Sequence, residues 1–242
     1  MYDITVNLIP GLPNVPYRYG AYEGVVAHCT DSANRSGGDT PTGERDYEAR
    51  TFSSAFVHYF VGIEKGAVKI VQCAPTSSGA YGAGAKANSR FVHVELCMYD
   101  DPAMFTVAYD AYVWLLAKIL YDRGLGVTPA ASDGSGTLWA HDDVRRILGG
   151  TTHTDPIDYL EEHGISWDQH VANVQEAYTR MGKLTVFTDI EQGRWSEASI
   201  AAVCKAGIME GFEDGTFRPT EPLTREQAAK IVNDLIYLIT QK

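Results

Sequence analysis

The chain has 242 residues, enough for one large domain or for a medium domain with a small companion. Its 45 % hydrophobic and 21 % charged content is that of a globular protein rather than a disordered one. A net charge of −11, from 20 basic and 31 acidic residues spread along the chain, argues against nucleic acid as a partner, which needs a basic face.

The opening MYDITVNLIPGLPNVPYRYG has neither a basic n-region nor an apolar h-region. The expectation is therefore synthesis in a cytoplasm without a signal peptide. No apolar run approaches the roughly 20 residues of a membrane span, so no membrane partner is expected either. Cys29, Cys73, Cys97 and Cys204 lie far apart without a CxxC pair, which predicts buried free thiols.

Taken in chain order, GVVAHC (24–29) is a short apolar strand ending at a histidine, and Arg45–Thr51 is a polar helix. Phe56–Val61 and Val68–Cys73, flanking IEKG, predict a hairpin. In FVHVELCM (91–98) a period of two puts His93 and Glu95 on one face and Val92, Val94 and Leu96 on the other. Asp101-Pro102 opens a long helix that Gly124 stops. Short helices are expected over 143–148 and 156–162. A longer one runs over 167–180 behind a capping box of Ser166 and Gln169. Strands mixed with helices over 180 residues predict an α/β domain. Residues 181–186 read as a linker. In 187–242 two amphipathic helices, Trp195–Ala206 and Thr224–Leu238, flank the turn GFEDGTFRP. The second helix has a Thr224–Gln227 capping box. That small all-α unit has a marginal core, so it is expected to dock or to self-associate.

The seven histidines are the candidates for chemistry. His163 at a helix end, where an imidazolium suits the helix dipole, and His170 inside a helix read as structural. His58 suits either a structural or a functional role. His28 and His141 each stand where an apolar segment meets a polar one, the rim of a sheet. Two imidazoles and one anion, with a fourth position for water, make a catalytic zinc set; the anion here is Asp155, Glu95 or a cysteine. Asp155-Pro156 in THTDP is equally good as a helix N-cap followed by a first-turn proline. Glu95, an acid inside an apolar strand, is either a general base or a buried partner of Arg90.

Five motifs in one order, VVAHC, SSAFVHYFVG, AYGAGAKANSRFVHVEL, WAHDDV and THTDP, resemble the zinc-dependent N-acetylmuramoyl-L-alanine amidases of the type-2 amidase/peptidoglycan-recognition superfamily, particularly phage endolysins. The resemblance covers residues 1–180 and implies a central mixed β-sheet flanked by helices. It implies Zn²⁺ on His28, His141 and Asp155, with Glu95 as catalytic acid–base. His153 stands where many members carry an oxyanion-steadying lysine, and a histidine there titrates nearer neutrality. His93, on the Glu95 face, is either a neighbour of the zinc or substrate, or a hydrogen-bonded strand histidine. Where members often have Trp-His this chain has Tyr81-Gly82, with Tyr81 the candidate substrate contact.

Residues 187–232, with Trp195, the GFEDGTFRP turn and TREQ, resemble an S-layer-homology module, so 187–242 is expected to bind a secondary cell-wall polymer of Gram-positive bacteria through Trp195, Asp214 and Arg225. Such modules usually come in threes. The single copy leaves two expectations open, polymer binding and assembly into a homo-oligomer. Together the resemblances imply a peptidoglycan hydrolase of endolysin type, made in the host cytoplasm and released to the wall at lysis.

Overall fold

A computed structural model describes residues 2–183, 187–191 and 193–240. These form two compact units divided after Tyr178.

The first unit is built on a six-stranded sheet. Its strands are β1 (Ile4–Val6), β2 (Gly24–Cys29), β3 (Tyr59–Glu64), β4 (Ala67–Gln72), β5 (Phe91–Leu96) and β6 (Leu138–Ala140). The spatial order is β1-β4-β3-β5-β2-β6, and all neighbours are parallel except the β3–β4 hairpin. The hairpin is tighter than the sequence suggests. Pairing continues through Ile63–Val68 and Glu64–Ala67, and only Lys65 and Gly66, both at positive φ, make the turn.

Register decides what shares a face. His28 pairs with Glu95, and Val26 pairs with both His93 and Trp139. Paired residues in parallel strands project to the same side. His28, His93 and Glu95 therefore stand on one face with Val26, Phe91 and Trp139, which form a buried cluster with Ala83, Ala87 and Val144. Helix α1 (Pro41–Thr51), capped by Thr40, packs on β3 and β4. Helix α3 (Pro102–Asp122) packs on β2, β3 and β5. Asp101 caps α3 by accepting from the Ala103 amide, with Pro102 in its first turn. It is long and apolar enough to cross a membrane, and most of it is buried in the unit. The short α4 (His141–Asp143) packs on β2 and β6 and leads into the wider turn Val144–Leu148, which meets α2 (Ala85–Asn88); α5 (Ile157–Glu162) follows.

Helix α6 (Trp167–Lys183) extends past the expected domain end at 180, and residues 184–186 of the expected linker lie outside the described residues. Ser166 Oγ accepts from the Gln169 amide, but the Gln169 side chain donates to Asn173, so only half the expected capping box forms. The second unit contains α7 (Glu197–Lys205) and α8 (Arg225–Thr240). Here the capping box is complete. Thr224 Oγ1 accepts from the Gln227 amide, and Gln227 Oε1 accepts from the Thr224 amide. Asp189 accepts from the Phe217 and Arg218 amides, and Phe187 packs on Phe217. All four cysteines are free.

Candidate metal centre

His28 lies next to last in β2, Glu95 next to last in β5, and His141 follows β6. All three stand at the carboxyl edge of the parallel strands, where open α/β sheets place their ligands. Asp155 reaches this edge from the loop before α5. Its Oδ2 lies 3.0 Å from His28 Nδ1 and its Oδ1 lies 3.0 Å from His141 Nδ1. The three groups each offer one donor atom within 4.8 Å of the others. Two imidazoles and a carboxylate converging from three separate elements fit the donor set of a catalytic zinc site.

The N-cap expectation for Asp155 is corrected by this geometry. No side chain caps α5, which begins at Ile157, because both carboxylate oxygens are engaged by imidazoles. Charge-assisted bonds to two rings are stronger than one to a backbone amide. Burial alone would raise the Asp155 carboxyl, but the hydrogen bonds to His141 and His28 outweigh it and hold it well below the usual carboxylate range. Burial keeps His28 neutral by lowering its pKa, against the opposing bond to Asp155. A neutral imidazole beside an ionised carboxylate is the state a cation requires.

Glu95 is not the partner of Arg90. Arg90 sits over the Phe91 and Trp139 rings, donates to the Gly134 carbonyl and lies 3.5 Å from Glu23. Glu95 keeps a buried Oε2 with no partner. Burial, and after it the charge of Asp155, pushes Glu95 well above the usual carboxylate range, which strengthens it as a proton acceptor.

His153 is 67 % exposed, stacks on His141 with centroids 4.9 Å apart, and brings Nδ1 to 3.9 Å from Asp155 Oδ1. It stands at the solvent side of the group. His93 is fully buried, with Nδ1 3.0 Å from His28 Nε2. Tyr81 is 37 % exposed and packs edge-on against Phe56. Two contacts escape a reading of the sequence. Thr151 Oγ1 meets His141 Nε2 at 2.9 Å, and Gly82 lies directly against the His93 ring.

The remaining histidines are held by packing and hydrogen bonds. His58 bonds the Ser78 carbonyl and the His93 amide, and burial lowers it to about 4. His170 meets the Tyr109 hydroxyl, and burial lowers it to about 3. His163 stacks flat on Phe105 at 3.7 Å, and burial lowers its pKa. It serves as a neutral packed ring rather than the imidazolium expected at a helix end.

In the second unit Trp195 is 89 % exposed and Arg225 is exposed at the start of α8. Asp214 braces its own turn, accepting from Thr216 and Arg218. A cavity of about 350 Å³ lies here, lined by other residues, among them Met209, Phe212, Arg218, Leu223 and Lys230.

Comparison with known proteins follows the same division. The N-acetylmuramoyl-L-alanine amidase family model matches residues 18–158, and the S-layer homology domain model matches 186–229. Protein Ami of Listeria monocytogenes is 41 % identical over 171 residues, which is 70 % of this chain and 18 % of that protein. The bifunctional autolysin of Staphylococcus aureus is 38 % identical over 175 residues, which is 71 % of this chain and 13 % of that protein. The chain thus spans less than a fifth of these relatives. The crystal structure of Staphylococcus aureus hydrolase AmiA in complex with its ligand superposes with a TM-score of 0.68 at 35 % identity, over 75 % of this chain and 86 % of that one. The catalytic domain of XlyA, at 19 % identity and a TM-score of 0.52 over 72 % and 99 % of the two chains, shares the fold.

Proposed function

Since the chain belongs to the N-acetylmuramoyl-L-alanine amidase family, we propose that it hydrolyses the amide between the lactyl group of N-acetylmuramic acid and the L-alanine of the peptidoglycan stem. The observation that carries this reading is the convergence of His28, His141 and Asp155 beside the unpartnered Glu95. These three residues would hold Zn²⁺, whose Lewis acidity brings the pKa of water to about 7 and polarises the scissile carbonyl. Glu95 takes the proton of the attacking water and returns it to the leaving amine. A raised pKa suits the first half of that task. His153, at the exposed rim, donates to the carbonyl oxygen as it gains charge. Tyr81, partly exposed against Phe56, contacts substrate. The catalytic domain ends within α6, and residues 187–242 form the wall-binding module.

The C-terminal module anchors the enzyme to a secondary polymer of the Gram-positive wall through Trp195, Asp214 and Arg225. With Val232 and Leu235 of α8 exposed, it also associates with copies of itself. The setting we propose is a phage endolysin released at lysis. The likeness to Listeria Ami and the staphylococcal autolysin favours a second setting, a host autolysin. Transcripts rising with prophage induction support the first, and transcripts tracking growth the second.

Purified walls test the chemistry. We expect new L-alanine amino termini, no new reducing ends, abolition by a chelator and restoration by zinc. Reducing ends without amines, indifference to chelation, or binding without cleavage would overturn the reading.

A further inference from the structure

Behind the metal centre lies a stacked pair of imidazoles to which the hydrolytic reading gives no task. A neutral imidazole carries one N–H, and a nitrogen that gives its lone pair to a cation must be bare. His28 turns Nδ1 toward Asp155 and Nε2 toward His93. The proton of a cation-ready His28 therefore sits on Nε2, and whatever faces Nε2 must accept it. His93 Nδ1 faces it at 3.0 Å.

Three contacts hold His93 for this. Its ring stacks on His58, with centroids 5.9 Å apart and planes within 11°. Its backbone amide donates to His58 Nδ1, and His58 Nε2 donates to the Ser78 carbonyl, so the proton of His58 is assigned too. On another side stands Gly82, where an added Cβ would come within 2.6 Å of His93 Cγ and Nδ1. Only a residue without a side chain lets this ring stand where it does. Meanwhile His93 Nε2 is buried and has no hydrogen-bond partner, a cost that leucine at 93 would avoid. The Nδ1 contact with His28 accounts for an imidazole here. It also accounts for a neutral acceptor, since a third carboxylate beside Asp155 and Glu95 would add charge repulsion to a buried site.

We propose that His93 is a positioning residue. It accepts the Nε2 proton of His28 and so fixes the tautomer and ring angle that present Nδ1 to a bound cation, with Gly82 and His58 holding it in place. This rests on reading His28, His141 and Asp155 as the ligand set.

The test measures zinc affinity of the full chain by competition with a chelating dye, and the imidazole tautomers of the zinc-loaded protein by ¹⁵N NMR. Removing such a partner weakens metal binding by about 10–100-fold, the effect expected of His93→Leu. His93→Asn, whose amide oxygen replaces the Nδ1 acceptor, is expected to stay within about threefold of wild type. Gly82→Ala, which displaces the ring, is expected to lose about tenfold. The spectrum should show the His28 proton on Nε2. Unchanged affinity in folded His93→Leu, His93→Asn as weak as His93→Leu, or the His28 proton on Nδ1 would overturn the proposal. If His93→Leu does not fold, His93→Asn, Gly82→Ala and the spectrum decide. His28→Ala and Asp155→Ala separate the two levels. If they abolish zinc uptake while the His93 variants bind normally, only the positioning role fails. A wild type that takes up no zinc overturns both.

Discussion

The two units bury different things. The first encloses His28, Asp39, Glu48, His58, Arg90, His93, His141 and His170 among its apolar residues. In the second, among the described residues, only Phe187 and Ile200 are buried apolar side chains, while Trp195, Phe212, Leu223, Val232 and Leu235 stay exposed. Pushing a carboxyl up or an imidazole down far from its ordinary pKa takes burial in low dielectric, which the closed core of the first unit provides. A surface that keeps aromatic and cationic groups in solvent suits recognition instead. The contrast agrees with the proposed division, chemistry in the first unit and attachment in the second, and it can be broken experimentally.

The largest effect belongs to the buried carboxylate. Glu95→Gln should lower wall hydrolysis by about 10²–10⁴-fold while zinc content and wall binding stay unchanged. A nearly active, folded, zinc-loaded variant would remove Glu95 from the reaction.

Overpacking the small unit comes next. A Cβ at Gly211 would meet the Phe187 ring at 2.0 Å. Gly211→Ala should therefore cost about 3 kcal/mol and, in a unit with so little core, melt it. Calorimetry should show that transition moving while soluble-substrate hydrolysis persists. Loss of both together would mean the units are not separable.

Glu48 tests burial from the other side. Its Oε1 accepts from the Val57 amide, its Oε2 is buried without a partner, and burial pushes its pKa up to about 8. A raised native pKa means the native state holds the proton more tightly. That contribution is complete below the ordinary value of 4.5 and is lost as pH rises through about 8. Glu48→Gln, uncharged at every pH, should match wild type in acid and exceed it by about 2 kcal/mol above pH 8, as read by denaturant titration. The smallest effect is local. Thr224→Ala removes one cap of α8 and should cost about 1 kcal/mol of the second unit alone.

Much of this was legible in the residues because local rules govern it. Alternation in FVHVEL places His93 and Glu95 on one face, and the β5 register bears this out. Asp101-Pro102 and Thr224–Gln227 open helices as capping chemistry requires. Local rules misread Asp155 and His163, since each looks like a helix-end residue to its chain neighbours. Asp155 answers to His28 and His141, and His163 to Phe105, partners that sequence separation hides. Arg90 was a plausible mate for Glu95 until the fold gave it Glu23 and the Gly134 carbonyl. The long helices, the strands β2 and β5 with their faces, and the inventory of groups able to bind a cation follow from the residues alone, because periodicity and capping act over a few residues; the three-residue β1 and β6 are too short to show a period. Which nitrogen of His28 faces Asp155, which faces His93, and why position 82 is glycine emerge from the fold. Those depend on strands from distant parts of the chain meeting in one register.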